Sequence, residues 1–294
     1  GVIIITTTKG VISEKPTISF NYNSTIDTEI RNFRILTGDE WRNTLTGFAR
    51  QTLVYDPSNK EADEIVNTPG QIFGDADTNW FDEIKQPAWR HNADFSIRGG
   101  SKTNKYMISL AVLDQTGMVR GDDLTRYTGR VSLDTDILPV LRFGINTNLG
   151  YMQRNVSGTS MFTSQGFRPD LPVYDENGNY DMSTGAANPV ANTHIKNRTD
   201  TYNFLGTIYG ELDIIPDLTF RSSLSGTVYS GTKEGFSPSF LYRNKRARGS
   251  EYHSNNFSTV FDNTLSYKKK FADIHSIDAV VGVSFENYES KSTY

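Results

Sequence analysis

The sequence of 294 residues contains no cysteine. This absence excludes disulfide scaffolds, cysteine-ligated zinc, iron–sulfur centres and thiol nucleophiles. Long hydrophobic runs are missing as well. The longest purely apolar stretches, such as residues 2–5, fall far short of the roughly 20 residues that a membrane-spanning helix needs. We therefore exclude thiol chemistry and a helical membrane protein.

The charged residues show no excess of one sign. Lysine and arginine total 30 against 34 aspartate and glutamate residues, a net charge of −4, so we expect no basic surface for nucleic acid. The histidines at positions 91, 194, 253 and 275 lack ligand spacing, and we expect neither a metal site nor a cofactor. Motifs of hydrolases and of phosphate-binding loops are absent too, so the sequence predicts no catalytic residue and no enzyme.

Strand-forming and turn-forming residues dominate what is present. Aromatic residues make up 12% of the chain and stand among 24 glycines and 10 prolines, with a mean hydropathy of −0.50. This mixture is typical of an all-β protein. From residue 93 onward, apolar and polar residues alternate with period two; for example, Phe143, Ile145 and Leu149 alternate with Arg142 and Asn146. Such alternation predicts strands with one apolar face and one polar face.

The predicted strands are about 10 to 14 residues long, whereas strands of soluble proteins have about 5 to 6 and membrane-crossing strands about 9 to 11. Short connections at 99–104, 137–140, 215–217 and 269–273 alternate with long ones, including the loops 155–200 and 230–255. Outer-membrane barrels sort their periplasmic turns and extracellular loops in this way. We predict an all-β fold, part of a large antiparallel transmembrane β-barrel with about nine strands present.

One early strand and an elaborated loop precede the alternating region. Residues 11–22 form the first predicted barrel strand, residues 23–88 an extracellular excursion, and residues 89–294 barrel strands two to nine. Helical signals fall inside the excursion. Thr37 and Glu40 have the spacing of a capping box, and Asp77 is a candidate cap for a second helix that carries Trp80. We therefore expect the long loops to contain short helices.

Several stretches of the sequence are similar to one protein family. They are GVIIITTTKG at residues 1–10, the segment 94–134 that begins DFSIRGG, LPVYDENGNY at 171–180, and NPVAN at 188–192. Together they resemble the SusC/RagA-type TonB-dependent outer-membrane transporters. The first is similar to the last plug strand of that family, the second to its early barrel strands, and the last two to a recurrent extracellular-loop pattern.

The resemblance implies a barrel of roughly 22 strands around an internal plug, with residues 1–10 as the C-terminal end of the plug. It also implies import of a nutrient, an oligosaccharide or in some members a peptide, across the bacterial outer membrane. The implied partners are a SusD-like surface lipoprotein that closes over the barrel as a lid, the TonB complex acting through the N-terminal part, and outer-membrane lipid. We expect the sequence to be a fragment of such a transporter.

Three groups of residues are candidates for the functional site. In the long loop, four side chains could contact substrate or the lid, or could instead pack within the loop: Phe162, Phe167, Arg168 and Tyr174. On the polar face, mixed charges and amides are predicted to face the lumen and contact the plug: Arg98, Arg126, Arg130, Asp134, Arg142, Asn146 and Asn148. The basic loop cluster of Arg243, Lys245, Arg246 and Arg248 could contact an anionic substrate or lipopolysaccharide, or be a solvated loop.

Two alternatives come from other classes of protein. A secreted β-sandwich that binds carbohydrate would explain the aromatic residues and the balanced charge, but it predicts strands of half this length and no sorting of loop lengths. An outer-membrane barrel that acts as an adhesin or an enzyme predicts a complete small barrel with a closing strand. The long strands and sorted loops favour the transporter.

Overall fold

A computed structural model describes residues 10–28, 34–183, 188–242, 245–271 and 274–294. The predicted plug segment lies outside these residues except for Gly10, and so does Arg243 of the basic loop cluster. The other candidate site residues are all described.

The described residues form one antiparallel sheet of nine strands, in which each strand pairs with the next along the chain. This topology confirms the predicted all-β class and the predicted nine antiparallel strands. The strands are β1 (Ser13–Asp27), β2 (Ala88–Gly100), β3 (Asn104–Thr116), β4 (Asp123–Leu138), β5 (Leu141–Val156), β6 (Lys196–Ile215), β7 (Leu218–Ser237), β8 (Arg248–Phe271) and β9 (His275–Thr293).

Short helices occupy the long connections, as expected. They are α1 (Gly38–Tyr55), α2 (Lys60–Asn67), α3 (Pro69–Ile72), α4 (Trp80–Ile84), α5 (Met161–Gln165) and α6 (Pro189–Asn192), followed by a 3-10 turn at Ser239–Leu241. Within the described part of the chain, no helix has the length and apolarity to cross a membrane.

The capping box at the start of α1 is confirmed. The Thr37 side chain accepts the backbone N–H of Glu40, and the Glu40 carboxylate accepts the N–H of Thr37. The predicted cap of α4 is wrong. Asn79 caps that helix, while the Asp77 carboxylate accepts the N–H of Gly38 at 2.7 Å and fastens the start of α1 instead.

Several predicted boundaries are wrong because the strands are longer than expected. The first strand runs over 13–27 rather than 11–22, which confines the first excursion to 28–87. The two long loops shrink from 155–200 to 157–195 and from 230–255 to 238–247, because β6, β7 and β8 extend to 20, 20 and 24 residues. Except for Phe236 on β7, both faces of these extensions carry mainly polar residues, so the hydrophobic alternation ends there although the strand pairing continues.

The pairing register places most apolar residues of the strands on one face, although Leu113, Leu205 and Val260 lie on the polar face. One row of cross-strand partners runs Phe20, Phe95, Leu110, Gly129, Leu149, Phe204, Val228 and Phe257. Much of this face stays exposed: Phe20 is 67% and Leu110 58% accessible. An exposed apolar surface that extends across neighbouring strands in this way is typical of a contact with lipid or with another protein.

The buried core lies among the loops rather than behind the sheet. Trp80, Ile84, Val119, Leu171 and Val190 form one cluster. Those residues belong to three connections that all leave the same end of the sheet. We call the described parts of residues 34–87, 117–122 and 157–195 the loop body.

Candidate functional site

A network of opposite charges lies on the polar face near the short turns. The Arg142 guanidinium donates from Nε to Glu211 at 3.0 Å and from Nη1 and Nη2 to the two Asp213 oxygens at 2.7 and 2.9 Å. Arg221 donates to the other Glu211 oxygen, and the Thr219 hydroxyl donates to Asp213 at 2.7 Å. Two arginines thus balance two carboxylates, and their geometry is fixed by bidentate hydrogen bonds.

Tyr209 lies across this face beside the charge network. Its hydroxyl donates to Asp134, and the Arg221 guanidinium sits 3.9 Å from the ring centroid, within range of a cation–π interaction. The tyrosine is 7% exposed. A Cβ at Gly144 would come within 2.3 Å of the ring, so only glycine leaves room for it on β5.

The seven predicted polar-face residues all share this face, but the structure brings only some of them together. Asp134 and Arg142 belong to the Tyr209 network, and Asn146 accepts the Ser132 hydroxyl at 2.8 Å. Arg98, Arg126 and Arg130 have no carboxylate partner among the described residues. Sequence analysis did not identify the organising role of Tyr209, because the tyrosine ring lies over Gly144 of β5 and its hydroxyl reaches Asp134 of β4.

Two of the four loop candidates, Phe167 and Arg168, pack inside the loop body. The Phe167 ring meets Trp80 edge-on, with centroids 4.9 Å apart. Arg168 donates from Nη2 and Nε to Asp170 at 2.6 and 3.0 Å, and its carbonyl accepts the Trp80 indole N–H at 2.8 Å. These contacts favour self-packing of the loop, the alternative left open by the sequence, at both positions.

The Asp170 carboxylate is fully buried and joins two long connections. It accepts the N–H of Gly74 at 3.0 Å, while Arg168 also donates to the Ile72 carbonyl at 2.8 Å. Burial alone would raise the pKa of the Asp170 carboxyl. The hydrogen bonds from Arg168 and Gly74, with the guanidinium charge, outweigh burial and hold that pKa below its ordinary value.

The other two loop candidates are exposed. Phe162 is 87% and Tyr174 51% accessible. The Tyr174 ring packs on Tyr180, with centroids 5.2 Å apart, and Tyr180 shares a 2.7 Å hydrogen bond with His194 Nε2. The ring centroid of Phe240, in the loop between β7 and β8, lies 5.5 Å from that of Tyr180. Sequence analysis identified only Tyr174 of this aromatic cluster, because His194 and Phe240 come from other parts of the chain and no short-range pattern links them to Tyr180.

The described residues offer no group of three or more His, Asp or Glu side chains that could hold a metal ion. The arrangement is suited to binding through charge, hydroxyl and aromatic contacts. We assign none of these side chains a catalytic role.

Named proteins from bacteria are similar in sequence to most of the chain. No family model matches it. The TonB-dependent receptor P26 of Formosa agariphila is 29% identical over 223 residues, which cover 72% of this chain and 22% of the receptor. The TonB-dependent receptor SusC of Bacteroides thetaiotaomicron is 26% identical over 309 residues, which cover 95% of this chain and 29% of SusC.

A solved structure of the RagAB peptide transporter shares the fold. It superposes with a TM-score of 0.76 over 98% of this chain and 37% of the transporter chain, at 20% identity. The resemblance to SusC/RagA-type TonB-dependent transporters is confirmed. The nine strands match a segment of such a transmembrane β-barrel, as predicted. The chain spans between 22% and 29% of the length of the two curated relatives.

Replacing Gly144 tests the Tyr209 network. In a transporter that contains this chain, we expect Gly144→Ala to displace the tyrosine ring and lower the free energy of unfolding by about 1–3 kcal/mol. The matched control is Gly150→Ala on the same strand and face, where a new Cβ meets only an ordinary contact at 3.8 Å. The heat-dependent shift of the folded barrel on SDS gels measures both. Equal transition temperatures for the Gly144→Ala and Gly150→Ala variants would contradict the steric role of Gly144.

The lowered pKa of Asp170 predicts acid-sensitive loop packing. A carboxyl whose pKa is lower in the folded state stabilises the fold above its ordinary pKa of 3.8 and loses that contribution as the pH falls below it. Amide protection factors measured by hydrogen exchange at Ala76 and Thr78, which bond to the carbonyls of Asp170 and Pro169, should therefore drop between pH 6 and pH 3.

Removing the cation tests the same ion pair at neutral pH. Arg168→Gln should cost about 2–3 kcal/mol of protection, because it leaves a buried carboxylate with backbone N–H donors only. Arg34→Gln is the control, since Arg34 forms an ion pair with Glu40 while its own side chain is 83% exposed. Protection that is flat down to pH 3, or equally reduced by both changes, would contradict the assigned role.

Proposed function

We propose that this chain forms part of the barrel wall of a TonB-dependent transporter in the bacterial outer membrane. The transporter imports an oligosaccharide, with a peptide as the alternative substrate. The observation that carries this proposal is the division of one long-stranded sheet into an uncovered apolar face and a charged, hydrogen-bonded polar face. An apolar exterior around a polar lumen is the arrangement of barrels that conduct polar solutes through lipid.

The apolar face has the height of a membrane. On β6 it extends from Tyr202 to Ile214, which at 3.3 Å per residue and a strand tilt of about 45° gives a band of roughly 25–30 Å. Beyond Tyr202 the same face turns polar with Asp200 and Arg198. The band therefore ends near the loops, in agreement with an extracellular loop body.

A row of tyrosines marks this upper boundary. On the adjacent strands β4, β5 and β6, the rings of Tyr127 and Tyr151 stack with centroids 6.2 Å apart, and those of Tyr151 and Tyr202 meet at a tilt with centroids 4.7 Å apart. Aromatic girdles of this kind occupy the interface between lipid and water in outer-membrane barrels. The row supports the membrane orientation independently of the apolar band.

The partners proposed for this transporter follow from its relatives. SusC is named a TonB-dependent receptor and RagAB a peptide importer. A SusD-like lipoprotein would close the extracellular opening, and the TonB complex would act on parts that the relatives carry beyond the matched region. Since the relatives are named receptors and transporters, we propose no enzymatic activity, cofactor or nucleic-acid partner.

The loop candidates and the polar-face residues then take separate roles. The seven predicted polar-face residues line the lumen, and those near the short turns contact the plug, with Arg142 and Asp134 held in place by the Tyr209 network. In the loop body, Phe162 and Tyr174 remain available to substrate or lid. Phe167 and Arg168 act indirectly, by holding the loop body together.

The competing β-sandwich conflicts with these observations. A sandwich needs a second sheet packed about 10 Å from the apolar face. The part of the chain that the structure describes contains one sheet, and its apolar face is widely exposed.

Neighbouring residues of β5 test which face meets lipid. Ile145 pairs with Leu133 and Ile208 on the apolar face, whereas Asn146 lies on the polar face. In the whole transporter, Ile145→Lys should cost about 2–4 kcal/mol of barrel stability, the penalty for a cation near the bilayer midplane. Asn146→Lys should cost much less. A lipid-confined quencher should reach a fluorophore at position 145 and miss one at 146; equal quenching would refute the membrane assignment.

Growth of a deletion strain tests import directly. Cells that lack the transporter gene should lose growth on at least one oligosaccharide as sole carbon source, and the wild-type gene should restore it. Blocking TonB should abolish the rescue, because the proposed transport is energised. Normal growth of the deletion strain on every oligosaccharide and peptide that supports the parent would overturn the proposed function.

A further inference from the structure

The two ends of the polar face differ in charge pairing. Near the short turns, Arg142 and Arg221 are neutralised by carboxylates. From the middle of the face toward the loops, four cations have no carboxylate within ion-pair distance in the described part of the chain. They are Arg126, Arg130, Arg154 and Lys233, which we call the cationic strip.

The strand register gathers these cations. Arg154 and Lys233 both pair with Thr199 of the strand between them, so their Cα atoms lie about 10 Å apart. Arg126 pairs with Met152, which puts it diagonally across from Arg154 at about 7–8 Å. Arg130 lies four residues further along β4, about 13 Å from Arg126.

Two carboxylates that border the strip beside Arg154 are engaged elsewhere. Asp122 and Asp123 border a cavity of about 260 Å³ together with Arg154. Asp122 accepts the N–H of Ser157 at 2.7 Å, and Asp123 accepts the Asn155 amide at 2.8 Å. Several cations on one face without counter-ions repel one another, and this field attracts anions.

Hydroxyl and amide groups surround the loop end of the strip. A cavity of about 420 Å³ beside Lys233 is also lined by Asn197, Thr199, Ser250 and Tyr252. These groups offer donors and acceptors to a polar ligand, and the tyrosine adds a ring face. Glu234 also borders this cavity, but its position in β7 places it on the opposite face of the sheet.

We propose that the cationic strip binds the carboxylate or sulfate groups of an acidic oligosaccharide as it moves from the loops into the lumen. This inference rests on the proposed import function and narrows its substrate class. The hydroxyl and amide lining favours a sugar over an acidic peptide. The cations follow one another at about 7–13 Å, first across the strands from β7 to β5 and β4 and then along β4, and this spacing suits a chain that carries repeated negative charges.

Binding of three short probes to the purified full-length transporter tests this inference by calorimetry. The probes are tetragalacturonate, neutral maltotetraose and a tetraglutamate peptide. We expect tetragalacturonate to bind most tightly. Arg126→Gln, Arg154→Gln or Lys233→Gln should each weaken it about threefold, the effect of one exposed ion pair, and raising the salt should weaken wild-type binding.

Lys196→Gln is the matched control. Lys196 is an exposed lysine without a carboxylate partner among the described residues, and it lies near Lys233 but on the opposite face of the sheet. Its replacement removes the same charge and should leave tetragalacturonate affinity unchanged. A loss equal to that of Lys233→Gln would show an effect of net charge and overturn the inference.

The other outcomes separate this inference from the proposed function. Tighter binding of maltotetraose than of tetragalacturonate overturns the cationic strip as a substrate site, while import of a neutral oligosaccharide stands. Preference for tetraglutamate overturns the assignment to a sugar and supports the peptide alternative. Absence of tetragalacturonate binding also overturns the inference, and growth of the deletion strain then decides the import function separately.

Discussion

The uninterrupted antiparallel register is the constraint on which the rest of the structure depends. Side chains alternate between faces with period two, so a slip of one residue in any strand would exchange its apolar and polar faces. The register shifts lie only near strand ends, at Ser13/Thr17, Asp136/Leu138 and Asp213/Ile215. This strand pairing positions the apolar band, the row of tyrosines, the Tyr209 network and the cationic strip, although the members of each are distant in sequence.

The sheet and the loop body are held together by different forces. Backbone hydrogen bonds and cross-strand contacts hold the sheet, whose apolar face stays widely exposed in the described chain. The loop body has the enclosed apolar cluster of an ordinary small domain, reinforced by a buried ion pair between Arg168 and Asp170. A change in one unit can therefore leave the other intact, so the loop body and the sheet can vary separately.

Alternation was sufficient to predict the strands, their faces and the polar positions from Arg126 to Asn148, because it follows directly from burial on one side. It failed where both faces are polar, and this placed Arg154 and Lys233 near or inside predicted loops. Local sequence patterns could not predict the packing of the loop body, for a different reason. The partners of Phe167 and Arg168 lie about 90 residues away, at Trp80 and Ile72, and no short-range signal records such a contact.

The length of β8 has a consequence for the mouth of the barrel. Its apolar positions end at Phe257, and the strand continues to Arg248 with polar residues on both faces. Nine further residues at a tilt of about 45° rise roughly 20 Å. In a membrane, this extension would form a stiff collar above the headgroups, and the opening would stand clear of the lipopolysaccharide anchor region. Bulky solutes and a folded partner could then reach it without displacing lipid.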